Sequence, residues 1–200
     1  MPKLYPGYRE EIRKKIIAEA FALFLENGFE RVTMEDVAMR LKVTKPAIYR
    51  YFKNKEDLFS SSVVESMMNE IKDLFTSSFA ANDLITGAGL YFDGLVDLTR
   101  KYEKIEGDIS VVIKRNETLH EAVHGIHSEG VGIMQRFFET QIQQKTIHTD
   151  MNAREFAVLC TALSVGLTHI AIEGGNPIET KQVWLKVFTN LAGIRPKDKS

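Results

Sequence analysis

Cysteine is almost absent from this chain. Of 200 residues only Cys160 carries a thiol, which excludes an internal disulfide. In the run VLCTALSVG, with no basic neighbour to lower its pKa, Cys160 is expected to be a small buried hydrophobe rather than a redox centre. Long apolar runs are missing too. None approaches the roughly 20 residues that span a bilayer, so no membrane partner is expected. The opening MPKLYPGYREEIRKK has no apolar signal core, and the chain is expected to stay in the cytoplasm. There is no alternating strand pattern, no internal repeat and no low-complexity segment. A phosphate loop, a dinucleotide loop and a nucleophile–base pair are lacking as well. An enzyme using His120, His124 or Cys160 is therefore not expected, and no cofactor is implied.

What is present is ordinary in bulk and uneven in distribution. Hydrophobic residues make up 44% and charged residues 26%, the composition of a folded protein long enough to bury a sizeable core. Lys and Arg number 26 against 27 Asp and Glu, yet residues 1–55 hold 12 cations against 7 anions, a net of +5, and residues 56–200 a net of −6. A basic first quarter on an acidic remainder suggests a small unit facing a polyanion and a larger one with another task. The cations concentrate in TKPAIYRYFKNKEDL, where Lys45, Arg50, Lys53 and Lys55 alternate with Tyr49, Tyr51 and Phe52.

Helical signals run throughout. In REEIRKKIIAEAFALFLENGFE, Ile12, Ile16, Ala20 and Phe24 recur every four residues, Ile17 and Phe21 widen the stripe, and Gly28 supplies the stop. TMEDVAMRL reads as a second helix capped by Thr33, with Glu35 and Asp36 in its first turn. Thr44 is placed to cap a third helix, with Pro46 in the first turn where a missing N–H is harmless. Asn54 caps a fourth that has no break before residue 75. A helix of about nine residues, a three-to-four-residue turn and a short helix make a helix-turn-helix braced by the first helix. Further on, residues 83–105 and 108–115 read as two helices. Residues 117–145 read as one, loosened by Gly125, Gly130 and Gly132, each costing about 1 kcal/mol relative to alanine. Two more helices follow, separated by GGNP. The fold class is all-α: an N-terminal three-helix helix-turn-helix domain over residues 1–54, joined to a larger helical domain over 55–200.

The third helix gives the cations a use. Recognition helices enter the major groove N-terminus first, which brings Thr44, Lys45, Pro46 and Ala47 forward. Lys45 can donate to guanine O6 or N7, Ala47 can pack on a thymine methyl, and Arg50 can reach a base or a phosphate. Tyr49 and Tyr51 can bond phosphate oxygens, Lys55 can pair with one, and Thr33 with the N-terminal amides of its helix offers another phosphate site. TMEDVAMRLKVTKPAIYRYFKNKEDL, preceded by AFALFLENGF, resembles the DNA-binding domain of the TetR family of transcriptional regulators over residues 10–60. The resemblance is carried by Phe24–Gly28–Phe29, Thr33, Val37–Ala38, Tyr49–Tyr51–Phe52 and Lys55. Where that family commonly has glycine in the turn, this chain has Lys42, at a cost of about 1–2 kcal/mol if the residue is left-handed. There Lys42 offers an additional phosphate contact.

The resemblance implies a homodimeric, ligand-responsive DNA-binding regulator, most simply a repressor released from a palindromic operator by a small apolar or aromatic effector. It also implies that the last two helices form a four-helix interface with their twins. Candidate interface residues are Ala157, Thr161, Ser164 and Thr168 on one helix and Val183, Val187 and Leu191 on the other. An effector cavity would draw on Tyr91, Phe92, Leu95, Tyr102, Ile113, His124, Met134 and Phe138. Two other readings stand beside this one. HEAVHGIH places His120, His124 and His127 on one helical face, a spacing that can hold zinc, copper or nickel in a metal-sensing repressor. The other is a non-specific architectural DNA-binding protein, against which the acidic C-terminal part argues.

Overall fold

The computed structural model describes residues 7–81, 83–113 and 117–194, except the side chains at 104, 106, 113, 117–119, 122–124, 126 and 127. Among the described residues there are eight helices and no strand. They are α1 (Tyr8–Asn27), α2 (Met34–Leu41), α3 (Lys45–Tyr49), α4 (Lys55–Phe79), α5 (Leu84–Ile113), α6 (Glu117–Gln143), α7 (Ala153–Ile172) and α8 (Pro177–Leu191). The chain forms two compact units. One holds residues 1–69 and 101–126, the other 70–100 and 127–200.

In the first unit the every-fourth-residue stripe of α1 is the core. Ile16, Ile17, Ala20, Phe21 and Phe24 are buried, joined by Val37 and Ala38 of α2, Ile48 of α3, Phe52, and Leu58 and Phe59 of α4. Phe59 stands edge-on to Phe24, with ring centroids 4.9 Å apart, a favoured aromatic geometry. Gly28 ends α1 at φ +80, a conformation that favours glycine, and its amide bonds the Phe24 carbonyl at 2.8 Å. Arg40 of α2 ties down to α1 through Glu26 at 2.9 and 3.0 Å and Glu19 at 3.2 Å. The second unit is built on an aromatic cluster in which Phe75, Tyr91, Phe92, Phe138, Phe156, Trp184 and Phe188 are all buried. Trp184 donates its indole N–H to the Ala88 carbonyl at 2.8 Å, so even the polar end of the largest side chain is satisfied.

Two expectations from sequence are corrected. Residues 83–105 and 108–115 are not two helices, since α5 runs unbroken through 30 residues. The GD pair at 107–108 costs too little to stop a helix anchored on both sides by buried residues, Tyr102 and Ile105 before it and Val112 after it. Helix α6 is continuous over 27 residues, as the single helix read from the sequence, and it contains Gly125, Gly130 and Gly132. Finally, α7 does have the length and composition of a bilayer-spanning segment: 20 residues at a mean hydropathy of 1.7, of which 39% is buried in the protomer. Its Ala, Ser, Thr and Gly residues hide this from a search for unbroken large apolar runs.

Candidate nucleic-acid interface

Helix α2 begins with a full capping box. The Asp36 amide donates to Thr33 Oγ1 at 3.2 Å, and the Thr33 amide donates back to Asp36 Oδ2 at 2.8 Å. The Thr33 hydroxyl also donates to Asp36 Oδ2 at 2.7 Å. These bonds, the hydroxyl's first and the amide's second, hold the Asp36 carboxyl below the ordinary aspartate range. Both hydrogen-bonding sides of the Thr33 hydroxyl are therefore engaged within the cap. The helix ends on Lys42 in the left-handed conformation, φ 56 and ψ 41, with the Val43 amide returning to the Ala38 carbonyl at 3.0 Å. The turn from α2 to α3 is thus made by a strained, exposed lysine.

Thr44 occupies the cap position of α3 with extended backbone, but its side chain makes no cap hydrogen bond, which corrects the expected cap. The reason is local. A cap oxygen bonds the second or third amide of its helix. The second residue here is Pro46, which has no amide, and the third amide, Ala47's, bonds the Thr44 carbonyl at 2.9 Å. The Thr44 hydroxyl is left facing outward on an exposed residue. Ile48 and Phe52 anchor α3 from within. Their burial turns Lys45, Pro46, Tyr49 and Arg50 to the surface, with Ala47 half-buried between them. Tyr49 keeps 47% of its surface exposed, a large fraction for an aromatic with an apolar core one residue away. Lys45 lies 3.9 Å from Glu35 with both side chains about half exposed, a pair too loose to hold it. Lys42, Arg50 and Lys53 are exposed and make no ion pair among the described residues.

Two cations behave otherwise than the sequence suggests. Lys55 points into the turn between α1 and α2, its ammonium 2.9 Å from the Phe29 carbonyl oxygen and 3.3 Å from that of Glu30. Most of its donor capacity is thus spent inside the fold rather than offered to phosphate. Arg9, forty residues earlier, lies over the Tyr51 ring at 5.9 Å, adding a cation beside the recognition segment that no local pattern predicts. Arg31 and Lys53 are further exposed cations, to which the sequence pattern assigned no DNA contact.

The expected effector residues fall in both units. Tyr91, Phe92, Leu95, Met134 and Phe138 belong to the close-packed core of the second, whereas Tyr102 is buried in the first beside Phe21 at 5.8 Å. The side chains of Ile113 and His124 lie outside those described. An open cleft of about 520 Å³ lies elsewhere, against Thr146, His148, Gly193 and Ile194. Burial pushes the Tyr91 hydroxyl well above the tyrosine range, with Cys160 adding to it, and burial alone pushes the Cys160 thiol up to about 12. Such a thiol stays protonated and unreactive. His120 is exposed, His127 like His124 lies outside the described side chains, and no group of three potential metal ligands gathers among the described residues.

The expected interface stripe on α7 is corrected. Ala157, Ser164 and Thr168 are buried inside the protomer, and Thr161 bonds the Ala157 carbonyl at 2.9 Å and the Met134 sulfur at 3.4 Å. The outward face is instead Val158, Leu159, Ala162, Val165, Gly166 and Ile170. On α8, Val183 is exposed, and Val187 and Leu191 are half-buried.

Comparison with known proteins fits this geometry. Residues 16–61 match the family model for bacterial regulatory proteins, tetR family. The biofilm operon icaADBC negative transcriptional regulator IcaR of Staphylococcus epidermidis is 28% identical over 100 residues, which is 50% of this chain and 54% of that protein. The chain thus spans about half the length of that relative. The transposon Tn10 TetC protein of Escherichia coli is 24% identical over 169 residues, 82% of this chain and 80% of its own. Among solved structures, a putative TetR-family transcriptional regulator from Mesorhizobium loti superposes with a TM-score of 0.73 at 18% identity, covering 94% of this chain and 98% of the other. The matched segment contains the capped α2, the lysine turn and the outward face of α3, so residues 16–61 are a segment of the kind found in bacterial regulatory proteins of the tetR family.

Proposed function

We propose that this protein is a cytoplasmic, homodimeric DNA-binding transcriptional regulator of the repressor type. Residues 1–54 would read the operator, and 55–200 would bind an effector and dimerise. The observation that carries the reading is the outward face of the helix-turn-helix, where Lys42, Thr44, Lys45, Pro46, Ala47, Tyr49 and Arg50 surround a helix whose Ile48 is fully buried. Donors, a small apolar contact and an aromatic hydroxyl are together there, as major-groove reading requires. Repression is proposed on the likeness to the staphylococcal negative regulator. Selection of duplexes from a random library, followed by competition with random DNA, tests it. Specific binding should win by 10³ or more. Equal affinity for all sequences would favour an architectural protein instead.

The dimer is supported by α7, whose exposed aliphatic residues follow one another at helical spacing from Val158 to Ile170. An apolar helix of which only 39% is buried in the protomer, with Val158, Leu159, Val165 and Ile170 exposed, calls for a partner, and a second copy supplies an identical face. Sedimentation of Leu159→Glu/Val165→Glu should give a monomer where the unaltered chain gives a dimer. For the effector, the aromatic core of the second unit suits a flat apolar molecule that displaces side chains on entry. Compounds of that class should raise the melting temperature and release the selected DNA. An operator affinity indifferent to every compound the protein binds would sink ligand control.

A further inference from the structure

Phe29, in the turn between α1 and α2, is held from two sides. Its amide donates to Asp108 Oδ2 of α5 at 2.7 Å, and its carbonyl accepts from the ammonium of Lys55, the first residue of α4, at 2.9 Å. The same ammonium lies 4.2 Å from the centroid of the Phe29 ring. That ring is buried against Phe59, with centroids 4.8 Å apart, and against Phe24 at 6.1 Å. Gly28 completes the arrangement, because a Cβ there would stand 3.4 Å from Asp108 Oδ2, and its φ of +80 disfavours any side chain. The three-helix core closes through Phe24, Val37, Ile48 and Phe52 without either charged residue. Two further helices nevertheless reach the turn from which α2 departs at Thr33, only four residues later.

We propose that Asp108 and Lys55 are positioning residues for DNA reading. They fix the path of the α1–α2 turn, and so the setting of α2 and α3, without touching DNA. The inference rests on the DNA-binding reading above. Both bonds are charge-assisted, and such bonds are roughly twice as strong as neutral ones. The carboxylate takes the amide and the ammonium takes the carbonyl, so Phe29 is fixed in position and orientation. Asp108 lies on α5, a helix continuous from Leu84, so a rotation of α5 that carries Asp108 away would remove the acceptor from the Phe29 amide. The contact gives α5 a direct hold on the start of the helix-turn-helix.

The test uses the full chain and a duplex it has itself selected, with affinity followed between about 50 and 200 mM salt. Asp108→Ala should bind about tenfold more weakly with an unchanged salt slope, since no phosphate contact is lost. Asp108→Asn, whose amide oxygen still accepts, should keep most of the affinity. Hydrogen exchange at the Phe29 amide should accelerate in Asp108→Ala and not in Asp108→Asn, while buried amides of α1 and α4 keep their protection. Should Asp108→Ala fail to fold, Asp108→Glu decides, because its longer side chain overreaches the amide: weakened binding supports the role and full affinity overturns it. Lys55→Met should weaken binding at constant slope. A slope lowered by about one would put Lys55 on a phosphate and overturn its positioning role. Undiminished binding by Asp108→Ala overturns the role of Asp108. If the unaltered chain enriches no duplex, the DNA-binding reading itself falls, and the Phe29 exchange rates still report on the turn.

Discussion

Lys42 sits where the backbone turns left-handed, φ 56, between two helices of the DNA-reading motif. Steric strain there costs about 1–2 kcal/mol for a side chain other than glycine, and a glycine would lose about 0.5–1 kcal/mol of that gain to unfolded-state entropy. Lys42→Gly should therefore stabilise the chain by up to about 1.5 kcal/mol in urea unfolding. If the lysine meets phosphate, the same variant should also lower the salt slope of DNA binding by about one. Stability and binding would move in opposite directions, as expected of strain kept at a functional site. Thr33 offers the complementary case. Thr33→Ala removes the cap and should cost about 1 kcal/mol near neutral pH. Thr33 holds the Asp36 carboxyl below its ordinary range, so that stabilisation is present above the unfolded aspartate pKa and lost as pH falls through the folded one. The stability gap between the two proteins should shrink on acidification, and denaturant midpoints taken from neutral pH down through the aspartate range would show it.

At the scale of elements, sequence revealed most where one face of a helix is apolar and the other charged. The stripe of α1, the Thr33 cap of α2 and Pro46 at the start of α3 all have short-range causes. Legibility failed where the cause is distant or the helix is apolar all round. Lys55 reads as a cation available to DNA because nothing local announces the Phe29 carbonyl 26 residues away. On α7 the small residues and the aliphatic residues both recur at helical spacing, so periodicity alone could not say which face the protomer buries. Phe156 and Cys160 settle it, drawing Ala157 and Ser164 inward with them. The end of α8 is another long-range arrangement. The His148 amide bonds the Ala192 carbonyl at 2.8 Å, Gly193 follows at φ +61, and a Cβ there would stand 2.2 Å from the His148 carbonyl oxygen. Gly193→Ala should destabilise the second unit by about 1–3 kcal/mol, since backbone strain and a backbone clash combine. A lowered melting temperature with unchanged helical content before the transition would report it.

For the whole molecule the charge asymmetry and the uncovered face of α7 point the same way. The cations gather in the first 55 residues, and the acidic remainder would repel a polyanion. DNA contact should therefore be confined to the helix-turn-helix. One copy presents one α3 of five residues, too small a reading head for strong discrimination between sequences. Two copies joined through α7 would present two, and the operator must then carry two half-sites whose centres lie about one helical turn apart, or a multiple of that. Inserting five base pairs between the half-sites rotates them to opposite faces of the duplex. Affinity should then fall by at least tenfold, whereas inserting ten restores the facing and recovers part of it. Leu159→Glu/Val165→Glu should bind weakly to all three duplexes and ignore the spacing, because each copy then reads a half-site alone. If the unaltered chain were equally indifferent to the five-pair insertion, two recognition helices would not be held in register, and the two-fold account of this protein would fail with its helix-turn-helix account intact.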